Sequence, residues 1–326
     1  MKEEIVRLLK EREGYLSGQE LCGSLGVSRT AVWKVIKQLQ KEGYEIEAVR
    51  NRGYRLIESG DVMTEAEIKS CMGQGIIGRN VVYYEETDST NIRAKHLAEA
   101  GYPEGTLAVA EKQNAGKGRR GRRWTSPEGT GIWMSLVLRP DIAPAQASML
   151  TLVAALGVSE GIYEYARIPA QIKWPNDLVL NGRKICGILT EMWTELETIQ
   201  YVVVGIGINV NMEEFPEELS KTATSLYLEM GEKLKRAPLM GAVARAFERY
   251  YKIFQEKGDL SSLKEAYESR LANMNRQVTV MDPAGAYSGI CRGIHRGGEL
   301  LVEREDGQLC KVLSGEVSVR GIYGYV

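Results

Sequence analysis

Residues 112–123 read Lys112-Gln-Asn-Ala-Gly116-Lys117-Gly118-Arg119-Arg-Gly121-Arg122-Arg123, with Trp124 next. Three glycines alternate with basic residues, so the backbone can bend sharply while N–H groups and cationic side chains converge on one small volume. Such a loop suits a phosphate or another anion. It matches neither the G-x-x-x-x-G-K-[ST] phosphate loop nor the G-x-G-x-x-G of a dinucleotide fold. By itself it reads equally as a solvated basic turn or a nucleic-acid contact.

Four shorter motifs carry further chemistry. Asp88-Ser89-Thr90-Asn91 lies between a strand and a helix; it caps the helix, and its hydroxyls and the exposed N–H groups there can also bind a polar ligand. Lys173-Trp-Pro-Asn176-Asp177 holds Trp174 extended before Pro175 and offers Asn176 and Asp177 oxygens at a strand end, a donor set suited to Mg²⁺ beside nucleotide phosphates; the alternative is an ordinary Asn-Asp turn. In Arg183-Lys184-Ile-Cys-Gly187-Ile-Leu, Lys184 opens an apolar strand, either as a cation facing a cleft or as a guard against edge pairing, and Gly187 permits close approach of a ligand. In Val204-Gly-Ile-Gly-Ile-Asn209-Val-Asn211 the glycines leave room for a flat ligand.

The elements that must position these groups follow from the patterning. Alternating strands at 81–86, 106–111, 131–138, 171–174, 178–180, 184–192 and 201–208, with helices at 91–100, 144–166 and 238–257, predict a mixed α+β sheet and not a doubly wound parallel one; Asn181-Gly182 marks a tight hairpin. Ahead of it, Ile5, Leu8 and Leu9 share one face of a first helix. Ser17-Gly-Gln-Glu20 is a capping box opening a second. Ser28 caps a third, which carries Val32, Val35, Ile36 and Leu39 on one face and Arg29, Thr30, Trp33, Lys34, Lys37 and Lys41 elsewhere. Strands 45–49 and 54–57 flank Arg50-Asn-Arg52-Gly53, completing a winged helix-turn-helix. Seven Lys/Arg against three Asp/Glu in residues 28–55 place positive charge where a recognition helix and wing meet phosphates, so Ser28, Arg29, Thr30, Trp33, Lys34, Lys37, Arg50 and Arg52 are the candidate DNA contacts. Short strands at 277–281, 287–294, 300–303, 308–312 and 317–319 between glycine-rich turns predict a small SH3-like β-barrel. The expected division is 1–60, a winged-helix DNA-binding domain; 64–272, the catalytic, ligand-binding domain that carries the four motifs and the basic loop; and 273–326, the SH3-like domain.

Composition bounds the function. The net charge of −1 over 326 residues excludes a uniformly basic nucleic-acid binder. The five cysteines lack metal-ligand spacing, which implies reduced cytosolic thiols, and His96 and His295 lie outside any motif, which disfavours a histidine zinc site or a Ser-His-Asp triad. With no signal peptide and no long uncharged apolar run, a cytoplasmic protein with no membrane partner is expected.

Taken in order, these motifs resemble those of the biotin–protein ligases, and the winged helix resembles the bifunctional class that is also the biotin operon repressor. The resemblance implies that Ser89, Thr90, Asn91 and Gln113 sit at the ureido end of biotin. It implies that Gly116, Lys117, Gly118 and Arg119 form an ordering loop over biotin and the adenylate. Lys184, near Gly187, would meet the biotin carboxylate and the α-phosphate. Arg122, Trp124, Asn176, Asp177 and Asn209 would belong to the nucleotide–Mg²⁺ side, with Asp177 the metal candidate and residues 215–226 the ATP-contacting region. Many members have arginine where this chain has Lys117, which keeps the charge and loses bidentate geometry. The implied substrates are biotin and ATP, and the implied partners are the biotin carboxyl carrier protein of acetyl-CoA carboxylase, operator DNA, and a second copy of the chain in a homodimer promoted by biotinyl-5′-AMP.

The residues agree with that chemistry. A biotin carboxylate is already ionised, so its attack on the α-phosphate of ATP needs charge neutralisation and in-line positioning from Lys184, Arg119 and Mg²⁺, and no histidine base. An acceptor lysine then attacks the mixed anhydride, with Asp177 placed to steer or deprotonate the amine and the loop excluding water. Two rivals stand beside this reading: a non-catalytic effector-binding transcription regulator, and a ligase for another carboxylate such as lipoate.

Overall fold

The computed structural model describes residues 1–282, 285–313 and 318–321. The chain opens with α1 (Lys2–Glu11), α2 (Gly18–Leu25) and α3 (Arg29–Lys41), followed by the antiparallel hairpin β1 (Tyr44–Val49) and β2 (Gly53–Ser59). The capping box closes as its sequence dictates. Ser17 Oγ accepts from Glu20 N at 3.1 Å, and Glu20 Oε2 accepts from Ser17 N at 2.9 Å. Gly26 ends α2 in the left-handed region at φ 64°, and Ser28 Oγ then accepts from Ala31 N to start α3. Ile5, Leu21, Val32, Ile36 and Leu39 are fully buried together, so this unit has its own core. At Gly53, with φ 113°, a side chain would collide with the Leu16 carbonyl. The approach is needed because Leu16 pairs with Tyr54 in both directions, at 2.8 and 2.9 Å, and brings a third chain segment alongside the wing hairpin.

After α4 (Glu65–Cys71) come β3 (Val81–Thr87), α5 (Thr90–Glu99), β4 (Leu107–Gln113), β5 (Gly131–Leu138), α6 (Met149–Ala166), β6 (Gln171–Lys173), β7 (Asp177–Leu180), β8 (Arg183–Glu195), β9 (Thr198–Asn209), α7 (Leu226–Met230), α8 (Arg236–Lys257) and α9 (Lys264–Glu268). The seven strands form one mixed sheet in the order β3-β4-β5-β9-β8-β7-β6. The pair β3–β4 is parallel, crossed by α5, and the remaining neighbours are antiparallel. Alternation along the strands sends Val109, Leu136, Val202 and Val204 to one face, under α6 and α8, and Ala108, Val137 and Val203 to the other, under α5. Glycines let α6 and α8 come close: a Cβ at Gly157 would stand 2.6 Å from Phe247 Cα, and one at Gly161 2.5 Å from Val243 Cα.

The apolar stretch expected as one helix over 144–166 divides. Residues 144–146 form a single 3₁₀ turn, because Gln146 is engaged on both sides: its Oε1 accepts from Ala143 N at 2.8 Å and its Nε2 donates to Gly258 O at 2.6 Å. By length and composition this stretch is apolar enough to cross a membrane, yet α6 spends that character inside the core, where Leu150, Val153, Ala154, Val158 and Ile162 are fully buried. The short helices α7 and α9 were not foreseen.

The strands β10 (Gln277–Met281), β11 (Tyr287–Ile294), β12 (Leu300–Glu303), β13 (Leu309–Val312) and β14 (Ser318–Gly321) form an antiparallel sheet in the order β13-β12-β11-β10-β14. Val317, expected to begin the last strand, lies outside the described residues. The preceding segment is stitched to the edge of the large sheet, with Ile172 N donating to Arg270 O at 2.7 Å and Ala272 N to Ile172 O at 2.9 Å. Trp174 Nε1 adds a 2.9 Å bond to Gly298 O, so the Lys173–Asp177 segment is held from the C-terminal sheet.

Candidate active site

The motifs converge on the α5 face of the large sheet. A cavity of about 50 Å³, partly open to solvent, is lined there by Ser89, Thr90, Asn91, Gln113, Lys117, Gly118, Arg119, Trp124, Asn176, Lys184 and Gly187, with Ile188, Leu189, Gly205, Ile206 and Gly207 completing its walls. Residues separated by more than a hundred positions thus share one wall. The reason is topological: β4, β5, β9 and β8 are neighbours, and α5 starts over their ends.

One end is neutral and hydrogen-bonding. Gln113 Oε1 accepts from Thr90 N at 2.8 Å and lies 3.1 Å from Thr90 Oγ1, while its Nε2 donates to Ser126 Oγ at 2.8 Å. Asn91 Nδ2 donates to Glu191 Oε2 at 2.7 Å, and Ser135 Oγ donates to Asn91 Oδ1 at 2.6 Å. Burial alone would favour the neutral form of Glu191, but bonds from Lys95 and Asn91 outweigh it and hold the carboxyl below its usual range. Gly205 is required here, since a Cβ would collide with Asn91 Oδ1.

The other end is cationic. Lys184 Nζ sits 2.6 Å from Asp177 Oδ1 and 5.0 Å from the centre of the Trp124 ring. Arg119 Nη1 donates to Asn176 Oδ1 at 2.9 Å, and burial pulls this guanidinium below its usual range, with Asp177 opposing that shift. The basic loop folds as a compact hairpin: Gly118 N donates to Arg122 O at 2.7 Å and Trp124 N to Gly116 O at 2.8 Å, with Arg120 and Gly121 in the left-handed region. Trp124 lies edge-on to Trp133 with ring centres 6.3 Å apart, and its buried Nε1 has no hydrogen-bond partner. The nitrogen is buried against Gly207 while the residue itself lines the cavity, and an orphaned donor at such a wall is held at a cost. A Cβ at Gly207 would come within 2.7 Å of that nitrogen, so glycine there makes room for the ring.

Several candidates stand outside the lining. Arg122 is solvent-exposed on the loop. Gly116 lies behind the wall, where a Cβ would stand 2.5 Å from Trp124 O and 3.0 Å from Ser126 Oγ. Asn209 is buried and donates to Thr224 O at 3.0 Å. It thereby holds the expected nucleotide segment in place: Lys184 N donates to Thr222 O at 2.8 Å and Thr224 N to Lys184 O at 2.9 Å, laying residues 222–224 beside the key lysine. Asp177 touches the cavity through Lys184. Ser135 and Glu191 were not named as site residues. A polar residue within the wholly buried strand β5 was the available signal for Ser135; Glu191, on β8, had none, because its partners Asn91 and Lys95 come from α5.

On the N-terminal unit, Ser28, Arg29, Thr30, Trp33, Lys34, Lys37, Arg50 and Arg52 are all exposed, Trp33 by 52%. A large exposed aromatic on a basic helix face fits a groove-reading surface.

The whole chain can now be set beside known proteins. It is 41% identical over 322 residues to the bifunctional ligase/repressor BirA of Bacillus subtilis (strain 168), covering 98% of both chains. The chain belongs to the biotin protein ligase family. Residues 83–209 match the biotin/lipoate A/B protein ligase family, residues 2–55 an HTH domain, and residues 274–320 the biotin protein ligase C-terminal domain. The Escherichia coli (strain K12) BirA is 32% identical over 97% of this chain and 96% of its own. The biotin protein ligase from Aquifex aeolicus, solved in complex with biotin and ATP, is 35% identical, with a TM-score of 0.66 over 74% of this chain and 99% of that one. The α+β architecture expected from the sequence is the architecture observed: a helix-turn-helix unit, a mixed-sheet ligase unit and, where an SH3-like barrel was expected, an antiparallel C-terminal sheet.

Proposed function

We propose that this ligase-family chain activates biotin with ATP to biotinyl-5′-AMP, transfers the biotin to a lysine of the biotin carboxyl carrier protein of acetyl-CoA carboxylase, and represses biotin-synthesis genes through its winged helix, in the cytoplasm, with the adenylate as corepressor. The observation that carries it is one cavity with a neutral hydrogen-bonding end at Ser89–Asn91 and Gln113 and a cationic end at Lys184 and Arg119. A ureido ring and a carboxylate at opposite ends of a small molecule match that polarity. The division of labour follows the expected segments 1–60, 64–272 and 273–326.

In the first step the carboxylate oxygen forms a bond to the α-phosphorus and pyrophosphate leaves. Lys184 neutralises charge shared between carboxylate and phosphate, and exchanges its Asp177 partner for the substrate. Arg119 and Lys117 close over the product, and Gly116 and Gly118 let that backbone turn. Trp124 and the segment held by Asn209 form the nucleotide side, with Arg122 at its rim. In the second step the acceptor amine attacks the acyl carbon, AMP leaves, and Asp177 accepts or steers the amine proton.

Magnesium fits this site as a companion of the nucleotide. No cluster of three ligating side chains exists among the described residues, and Asp177 with Asn176 offers the one-carboxylate set that Mg²⁺ uses when phosphates and water supply the rest. When bound, the ion would neutralise phosphate charge. The lipoate alternative keeps the carboxylate end but lacks a ureido group for Gln113, Thr90 and Asn91.

The test is direct. The protein is mixed with biotin, MgATP and a carrier domain, and the carrier is examined for a mass gain on one lysine; excess lipoate should not compete. Lipoylation in preference to biotinylation would overturn the substrate assignment, and no adenylate from either acid would leave the non-catalytic regulator.

A further inference from the structure

Arg236, at the start of α8, is 3% exposed and joins parts of the molecule that share no other obvious business. Its Nε donates to Asp61 Oδ2 at 2.6 Å, and its backbone N to Asp61 Oδ1 at 2.8 Å. Asp61 lies on the short tether between the winged helix and α4. Arg236 Nη1 donates to Glu111 Oε1 at 2.8 Å and to Gly131 O at 3.3 Å. Glu111 lies on β4 two residues before Gln113, and its Oε1 also accepts from Gly129 N at 2.7 Å. Asn211, just past β9, adds a bond to Asp61 Oδ2 at 3.2 Å.

These contacts have one geometric consequence. The basic loop leaves the sheet at Gln113 and returns at Gly131. Its return end is fixed by Glu111 on Gly129 and by Arg236 on Gly131. The guanidinium making that clamp is oriented from its other side by a carboxylate on the tether. Burial disfavours the charge on Arg236, and Asp61 and Glu111 overrule that cost and push its pKa up. A buried arginine of this kind loses its orientation when one carboxylate is removed.

We infer that Asp61, Arg236 and Glu111 are positioning residues for the Gly/Arg loop, through which the tether of the DNA-binding unit sets how tightly that loop holds biotinyl-adenylate. The inference rests on the proposed function for the identity of the ligand, but the clamp itself is a property of the free protein. None of the three residues touches the reacting atoms. A shift of the tether alters the Arg236 fork, the fork sets the Gly129–Gly131 hinge, and the hinge sets loop closure. Linkage runs both ways, so a ligand that orders the loop also stiffens the tether.

The experiment uses the full-length protein as Asp61→Asn, Arg236→Lys and Glu111→Gln variants. Hydrogen exchange is followed without ligand and with biotin plus MgATP, and release of labelled adenylate is timed by chase. In each variant, residues 114–131 should exchange at least threefold faster without ligand and adenylate should leave about fivefold faster, while the single-turnover rate of its formation changes less than twofold. In the wild type, ligand should slow exchange at residues 60–62, and this protection should vanish in Asp61→Asn. Unchanged loop exchange and unchanged release in Asp61→Asn and Arg236→Lys would overturn the inference. So would loss of the cooperative melt in all three, since the cluster would then be a folding element. Failure of the wild type to make any adenylate would instead refute the proposed function and leave the ligand-free exchange comparison standing.

Discussion

Replacing Lys184 with alanine is the sharpest test of the cationic end. The ammonium sits 2.6 Å from Asp177 and its side chain is 22% exposed, so it is neither in bulk water nor in a dry interior. At an effective dielectric constant near 20, opposite unit charges about 4 Å apart attract by about 4 kcal/mol. Water at the mouth reduces this, and about 3 kcal/mol of transition-state stabilisation, near a hundredfold in rate, is a fair expectation. The variant suffers a second effect. Asp177 loses this partner and turns its charge on an anionic substrate, so Lys184→Ala should be slower than neutralisation alone predicts. With Mg²⁺ raised to saturate the weakened metal site, adding Asp177→Asn to Lys184→Ala should then recover part of the rate. The assay is pyrophosphate release in a single turnover with saturating biotin and MgATP, with the melting transition as a control for folding. A Lys184→Ala rate within threefold of wild type would refute the assignment, and a double variant slower than the single one would refute the account of Asp177.

Arg119→Gly should still make adenylate but lose it to solvent, seen as biotin on lysines of bystander proteins; labelling confined to the carrier would count against a retaining loop. Gly205→Ala should weaken biotin binding at least tenfold by titration calorimetry, because the new methyl displaces the Asn91 amide; unchanged affinity would move the ureido end elsewhere. Arg52→Ala should lower operator affinity and flatten its salt dependence by about one ion, leaving ligase rate unchanged. Biotin with MgATP should strengthen both self-association in sedimentation and operator binding in gel shifts, and equal DNA affinity with and without ligand would separate the two activities.

The first sixty residues were legible because their punctuation is local: Ser17 with Glu20, Gly26, Ser28 and Gly53 each act within a few residues of themselves. The same holds for the motif residues that line the cavity, whose types announce their chemistry. What could not be read were relations across the sheet. The parallel β3–β4 pair, the Glu191–Asn91 bond and the Asp61–Arg236–Glu111 cluster join segments up to 175 positions apart, and no periodicity encodes a partner at that distance. Asn209 was legible as a polar group after a glycine-rich strand, but the partner of its amide, the Thr224 carbonyl, lies fifteen positions away and no local pattern encodes it. The helix break at residues 146–149 escaped for a similar reason, because Gln146 answers to Gly258.

The orphaned indole of Trp124 has an optical consequence. Of the five tryptophans, Trp33 and Trp193 are more than half exposed and Trp133 and Trp174 are buried away from solvent, so their emission has little reason to respond to a small molecule in the cavity. Trp124 differs: it lies on the cavity wall, 5.0 Å from a cation and with its N–H unsatisfied. Emission from an indole shifts with the charge and hydrogen bonding around it, so occupation of the cavity should be visible in the intrinsic fluorescence of the unlabelled protein. The same ring that walls the cavity is a built-in reporter, able to give the order and rates of ligand arrival in a stopped-flow instrument.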